Sequence, residues 1–191
     1  YKGATSTTSY IPGTLEASKT YFWRIDDFDG VETHKGDVWS FTTGNFLVVD
    51  DIESYTDNQA AGEAIWQHWI DGLGIPTNGS QVGYLLTPYT EQTIVHGGSQ
   101  SMPLFYNNTG GVTNSVAERT LTWPRDWTEG EVAELSLWFR GVSTNAAEPL
   151  YVAISNAGGA LAVVVNANPT AAQISFWTEW RIPLQIFADQ G

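Results

Sequence analysis

The fold is decided by two stretches near the start of the chain, Tyr21-Phe-Trp-Arg-Ile-Asp26 and Gly36-Asp-Val-Trp-Ser-Phe-Thr-Thr43. Both alternate large apolar residues with polar ones, which is the pattern of β-strands with one buried face. Leu15 lies six residues before Tyr21. This spacing predicts a tyrosine corner, in which a tyrosine hydroxyl bonds back to the chain upstream. The two stretches therefore predict strands of a β-sandwich.

Together the two stretches resemble the last strands of a fibronectin type III module, over about residues 5–43. The resemblance implies that the earlier strands of the module are absent and that the chain begins within it. It also implies a multidomain protein outside the cell, because such modules usually connect other domains of secreted proteins.

The composition is acidic and rich in aromatic residues. Eight Lys and Arg stand against 21 Asp and Glu, which gives a formal charge of −13, and 13% of the 191 residues are aromatic. Nucleic acids and anionic membrane surfaces are bound by clustered cations, so this charge argues against both partners. No apolar run is long enough for membrane insertion. The absence of cysteine excludes disulfides, thiolate metal sites and cysteine nucleophiles.

We predict two domains, residues 1–44 and residues 45–191, divided at Gly44-Asn45. Short apolar runs separated by Gly, Asn, Asp and Pro turns follow this boundary, which predicts an all-β second domain. The stretch at 63–70 fits a helical turn or a strand. The predicted strands lie at 81–84, 91–95, 100–107, 116–122, 132–140, 149–155, 160–165 and 177–184.

Three of these strands alternate cleanly enough to assign their faces. In the strand at 177–184, Trp180 and Ile182 form one set, and Trp177, Glu179 and Arg181 form the other. In the strand at 132–140, aliphatic and aromatic residues at odd positions are predicted to face the core. The even positions then carry Ser136, Trp138 and Arg140 on the opposite face. The strand at 149–155 likewise places Tyr151 opposite its aliphatic face.

No catalytic motif is found in the sequence. The three histidines lack the spacing of a helical zinc site. Gly97-Gly-Ser-Gln-Ser101 departs at its last position from the G-x-S-x-G of a nucleophile elbow. Carboxylate pairs for glycoside hydrolysis can be drawn from any acidic chain. We therefore predict that the chain is not an enzyme and that any catalytic activity belongs to other domains of the parent protein.

The chain does contain the residue types that bind sugars. Exposed aromatic rings contact the apolar faces of sugars, and Arg, Asn, Gln and Glu bind their hydroxyls. Trp138, as a ring among polar groups, is the centre of the predicted site, although a Trp in a β-sandwich is more often part of the core. The full predicted carbohydrate-binding set is Trp138, Arg140, Tyr151, Tyr106, Gln100 and Glu134.

A second resemblance covers about residues 46–189. It rests on motifs that occur together: Phe46-Leu-Val-Val-Asp-Asp-Ile-Glu-Ser-Tyr55, Ile65-Trp-Gln-His-Trp-Ile-Asp-Gly72, Gly79-Ser-Gln-Val-Gly-Tyr84, His96-Gly-Gly-Ser-Gln-Ser-Met102, Ala117-Glu-Arg-Thr120, Leu135-Ser-Leu-Trp-Phe-Arg-Gly141 and Trp177-Thr-Glu-Trp-Arg-Ile-Pro-Leu184. These motifs resemble the jelly-roll, carbohydrate-binding-like modules of large secreted proteins of environmental bacteria. The resemblance implies a jelly-roll β-sandwich at the bacterial cell surface or outside the cell.

The same resemblance implies a structural calcium ion. Family members hold it with acidic residues after the first strand, a carbonyl of the Gly-Gly-Ser turn and an acid in the final strand. Asp51, Glu53 and Ser99 match the first two parts. The family pattern continues past residue 184 to further strands, so the resemblance implies that the last strands are missing here and that this calcium site is incomplete.

Three functions remain open from the sequence. The first is a non-catalytic carbohydrate-binding module that attaches a larger protein to a polysaccharide or glycan. The second is a structural or adhesive surface module with no sugar ligand, whose partners are proteins or the other domains of the same chain. The third is a polysaccharide-degrading enzyme, and its only support is that such modules often occur beside enzymes of this kind.

Overall fold

The computed structural model describes residues 3, 6–13, 15–16, 18–44, 46–122, 127, 132–156, 158 and 161–190. Asn45 of the predicted linker and Ala160 of a predicted strand lie outside the described residues. Of the described residues, 26% lie in strands or bridges and 8% in helices, so the chain is mostly β. It divides into two compact units, one built mainly from residues 1–48 and the other mainly from residues 49–191.

The first unit contains two antiparallel strand pairs. Strand β1 (Thr20–Trp23) pairs with β4 (Trp39–Thr42), and β2 (Asp26–Phe28) pairs with β3 (Thr33–Lys35). The backbone N–H of Glu16 donates to the Tyr21 hydroxyl at 2.8 Å. This is the upstream hydrogen bond that the spacing of Leu15 and Tyr21 predicts.

Aromatic residues pair across β1 and β4. Tyr21 stacks on Phe41 with ring centroids 5.7 Å apart, and Trp23 stacks on Trp39 at 6.3 Å. The alternation in these two stretches predicts strands with one buried face, but Trp23 is 48% exposed and Trp39 is 59% exposed. The reason is that each ring is covered mainly by its cross-strand neighbour, and no buried core cluster forms among the described residues of this unit.

The described strands of the second unit also form two-stranded antiparallel sheets. The pairs are β5 (Ser80–Val82) with β6 (Leu104–Tyr106), β7 (Glu134–Phe139) with β10 (Thr178–Pro183), and β8 (Tyr151–Ile154) with β9 (Ala162–Val165). Helix α1 (Leu184–Ala188) follows β10, and 3₁₀ helices occupy Gln59–Ala61, Ile65–Gln67 and Ala171–Gln173. Because each of these sheets has only two strands, the sandwich and jelly-roll arrangements stay predictions.

Three stretches for which the sequence allows or predicts a strand do not form one. The stretch at 63–70 forms the helical turn Ile65–Gln67, the first of its two predicted alternatives. The predictions of strands at 91–95 and 116–122 are wrong, because each stretch contributes only one bridge residue, Glu91 or Glu118. In the first of these stretches, the Glu91 carboxylate caps a turn of its own backbone, which takes the chain away from a strand partner.

Two apolar clusters form the core of the second unit. One contains the buried residues Tyr55, Ile65 and Val82. The other gathers Ile182 of β10, Ala162 of β9 and Phe187 of α1, together with inward residues of β7 and β8. Strand β7 alternates strictly between half-buried and exposed positions, as its sequence predicts, so its even-numbered residues point away from this second cluster.

Gly141 ends β7 where the backbone needs a residue without a side chain. Its N–H donates to the carbonyl of Ile174 at 2.6 Å, and a Cβ at this position would collide with the carbonyl of Ala172. The close approach holds the end of β7 against the segment that leads into β10.

Candidate functional site

The candidate site lies on the outer face of the β7–β10 pair, which we define by Glu134, Ser136, Trp138, Glu179 and Arg181. Trp138 lies directly across from Glu179, and Ser136 lies across from Arg181. Because Trp138 points away from the core, it remains 43% exposed. The sequence prediction that Trp138 belongs to a second, non-core face of its strand therefore agrees with the structure.

Charged groups on the outer face hold one another in place. Glu179 accepts hydrogen bonds from Ser136 Oγ at 2.8 Å and from Arg181 Nε at 3.0 Å. The bond from Arg181, followed by that from Ser136, lowers the pKa of Glu179. Arg181 also lies 3.6 Å from Glu134. The face therefore offers a paired cation and carboxylates, which can donate to and accept from the hydroxyls of a bound molecule.

His96 stacks on Trp138, a contact that the sequence analysis did not predict. The ring centroids are 3.8 Å apart and the planes differ by 18°. Trp177 meets His96 edge to face, with ring centroids 5.8 Å apart and the ring planes at 64°. The only sequence signal for His96 was its place in the His-Gly-Gly-Ser motif. The stack orients the Trp138 ring and makes a small aromatic cluster beside the charged pair.

The loop that carries His96 is anchored by Glu91. The Glu91 carboxylate accepts from the Thr93 hydroxyl and N–H, both at 2.5 Å, from the Ile94 N–H at 3.0 Å, and from the Tyr84 hydroxyl at 2.5 Å. The bonds from Thr93, then that from Tyr84, lower the pKa of Glu91 to about 2. The hydrogen bond that Tyr84 donates to Glu91, followed by burial, raises the pKa of Tyr84 to about 12.

We predict that acid loosens this loop. Glu91 binds a proton in the unfolded chain near pH 4.5 but in the folded chain only near pH 2, so its contribution to stability is complete above pH 4.5 and is lost as the pH falls toward 2. Hydrogen exchange of the Thr93 and Ile94 amides should accelerate across this window relative to other amides of the unit. The variant Glu91→Gln should show fast exchange at neutral pH already. An unchanged acid profile in Glu91→Gln would contradict the assignment.

The other predicted sugar-binding residues are dispersed. Arg140 follows β7 and is tied by its Nε to the Ser175 carbonyl at 2.9 Å. Tyr106 belongs to β6 and donates to the Ala146 carbonyl at 2.6 Å. Tyr151 lies half-buried on β8, where burial and then the charge of Glu118 raise its pKa. The structure therefore places Glu134 and Trp138 on the same face of β7 but places Tyr106 and Tyr151 in different strand pairs.

Gln100 is a structural residue in this arrangement. It is 9% exposed, and its amide group donates to the carbonyls of Ile52 and Tyr55 at 2.8 and 2.9 Å. Its amide oxygen accepts from the Thr90 hydroxyl at 2.7 Å. The polar side-chain atoms of Gln100 are therefore engaged inside the protein.

The residues expected to bind calcium bond to each other instead. Glu53 accepts from the N–H groups of Ser99 and Gln100 at 3.0 and 3.2 Å and from the Ser99 hydroxyl. The N–H and hydroxyl donors of the turn therefore face the Glu53 carboxylate. Asp51 accepts from the Glu53 N–H, and among the described residues no three His, Cys, Asp or Glu side chains are grouped so that they could hold a metal ion. Calcium binding at this turn stays a prediction, and calorimetric titration with Ca²⁺ tests it directly.

The burial of Asp50 could not be predicted from the sequence. Next to Asp51 it reads as part of a solvated acidic turn, yet its side chain is only 7% exposed. It accepts from the Tyr55 hydroxyl at 2.6 Å, from the Trp69 indole N–H at 2.7 Å and from Arg119. Burial by itself would raise the pKa of Asp50. These bonds and the charge of Arg119 lower the pKa by more than burial raises it, so the net shift is downward.

Comparisons with known proteins do not assign this chain to a family. No family model, no curated protein and no solved structure matches it. Within the part of the chain that the structure describes, no helix combines the length and the apolar character needed to cross a membrane.

Proposed function

We propose that the chain is a non-catalytic carbohydrate-binding module of a secreted or surface multidomain protein, and that it binds polysaccharide on the outer face of β7–β10. The observation that carries the proposal is the half-exposed Trp138, stacked on His96 and set among paired charges. A ring held in one orientation can receive the apolar face of a sugar with little loss of conformational freedom.

The proposal extends to the fold and to the ligand class. The Glu16–Tyr21 hydrogen bond supports a fibronectin type III origin for the first unit, and the shared cluster of β7, β8, β9 and β10 supports a jelly-roll for the second. The carboxylates of Glu134 and Glu179, the hydroxyl of Ser136 and the guanidinium of Arg181 share the outer face with Trp138, which suits a neutral glycan better than an anionic one. The net charge of −13 favours the same choice.

The test is calorimetric titration of soluble neutral polysaccharides, namely a β-glucan, a xylan, a mannan and a galactan. We expect saturable binding to at least one, and a loss of about 30-fold in affinity in Trp138→Ala, the effect of removing a central aromatic contact. Trp23→Ala is the matched control, because it removes an equally exposed tryptophan (48%) from the other unit. Flat titrations with a folded protein, or equal losses in both variants, would refute the proposal.

A structural or adhesive module is the second candidate. The half-exposed Trp23, Trp39 and Phe41 of the first unit favour it, since exposed aromatic rings are typical of protein interaction surfaces. If the polysaccharide titrations are flat, this function becomes the better proposal.

A further inference from the structure

A cleft separate from the outer face opens in the second unit. It has a volume of about 310 Å³ and lies among the first 3₁₀ helices, β5 and the loop that follows β5. This volume is at the lower end of the usual range for small-molecule sites, about 300–1,000 Å³, and suits one sugar ring better than a chain. Its lining includes Gln59, Trp66, Asp71, Gln81, Leu85 and Tyr89.

The walls of the cleft are rigid aromatic surfaces. Trp66 meets Tyr89 edge to face, with ring centroids 5.9 Å apart at 76°, so two ring planes form a corner. Both rings pack against the buried cluster around Ile65. Leu85 adds apolar surface at the rim and is 69% exposed. Such a corner presents flat apolar faces to a ligand without ordering any side chain on binding.

Polar groups in the cleft are free to bind a ligand. Among the described residues, the side-chain amide of Gln59 and the indole N–H of Trp66 donate no hydrogen bond, and the amide oxygen of Gln81 accepts none. Asp71 is held by the N–H groups of Leu73 and Val82 at 2.9 and 2.6 Å, which fixes its carboxylate. Donors and acceptors therefore occur together, as the hydroxyl groups of a sugar require.

The charge of the cleft selects against anions. Asp71 contributes a carboxylate, and none of the described lining residues is Lys or Arg. Phosphorylated, sulfated or uronic ligands would place a negative charge beside Asp71 without compensation. We propose that this cleft is a second binding site, specific for a single neutral pyranose unit. The inference stands apart from the outer-face proposal, because no lining residue belongs to β7 or β10.

The experiment is a two-dimensional NMR titration of the 191-residue chain, following the indole N–H signals, with those of Trp66 and Trp138 assigned from Trp66→Phe and Trp138→Phe. The probes are the methyl glycosides of glucose, galactose, mannose and xylose, with glucuronate as the charged counterpart. We expect at least one glycoside to shift the Trp66 signal saturably and glucuronate to leave it in place. The variant Gln59→Ala loses one hydrogen bond between the side-chain amide and the glycoside, which should weaken binding about 3- to 10-fold.

Two adjacent leucines provide the matched comparison. Leu85 lines the cleft and Leu86, which is 81% exposed, does not. Leu85→Ala should therefore weaken the binding of the glycoside, while Leu86→Ala should leave the binding affinity unchanged. Because both side chains are exposed, neither variant should compromise folding.

The outcomes separate the two proposals. A shift of the Trp138 signal alone overturns the cleft site while supporting the outer face. No shift of Trp66 with any glycoside up to its solubility limit also overturns the cleft site, whatever happens at Trp138. Equal shifts of Trp66 with glucuronate overturn the preference for neutral sugars. A shift of Trp66 with tetraproline but with no glycoside would assign the cleft to peptide ligands instead.

Discussion

Replacing Asp50 with Ala should destabilise the second unit by about 3–5 kcal/mol, the usual cost of removing one partner from a buried ion pair. The Asp50 side chain is 7% exposed and receives hydrogen bonds from Tyr55, Trp69 and Arg119. Without it, a guanidinium that is 23% exposed and two polar aromatic groups lose their common acceptor. The free energy of unfolding, measured by urea denaturation with NMR signals of the Ile65 and Val82 amides, checks this prediction.

Two further variants show whether the effect arises from the buried charge. Asp50→Asn keeps the shape but leaves Arg119 without a counterion, so we expect a smaller but still substantial loss. Asp51→Ala is the matched control: the neighbouring carboxylate is exposed and, among the described residues, accepts only the Glu53 N–H, so the loss should stay near 1 kcal/mol, as for one ordinary hydrogen bond. Similar losses in Asp50→Ala and Asp51→Ala would show that Asp50 has no central role.

Ile182→Ala should cost about 2–5 kcal/mol, because it leaves a cavity in a packed core. Ile182 is 1% exposed and lies on the inner face of β10, where it joins Ala162 and Phe187. The same strand carries Glu179 on its outer face. Ile182→Ala therefore weakens the support of the candidate sugar site without altering any group that would touch the sugar.

The neighbouring residue on the opposite face serves as the control. Arg181→Ala removes an exposed guanidinium and should change the free energy of unfolding by less than about 1 kcal/mol. In sugar titrations the two variants should behave in the opposite way: Ile182→Ala should keep the affinity at temperatures where it is folded, and Arg181→Ala should reduce it. Both free energies are obtained from urea denaturation. A larger stability loss in Arg181→Ala than in Ile182→Ala would contradict the assignment of the two faces.

The alternation of side chains along single strands could be predicted from the sequence. In β7 and β10, residues that repeat every second position face the same side, and the pattern correctly separates Trp138 from the core and puts Ile182 on the face opposite Glu179 and Arg181. The Tyr21 hydroxyl bond was also predictable, because both partners lie within one short segment. These features are local, so residue order is enough to place them.

Contacts between distant segments were decided only by the tertiary structure. Asp50 and Asp51 are adjacent and chemically identical, yet Asp50 binds Arg119, 69 residues away, while Asp51 stays exposed. Likewise, the stack of His96 on Trp138 and the withdrawal of Gln100 into the interior depend on where a loop is anchored. Neither burial nor a partner across such distances is encoded in a local pattern, because both arise from packing of the whole unit.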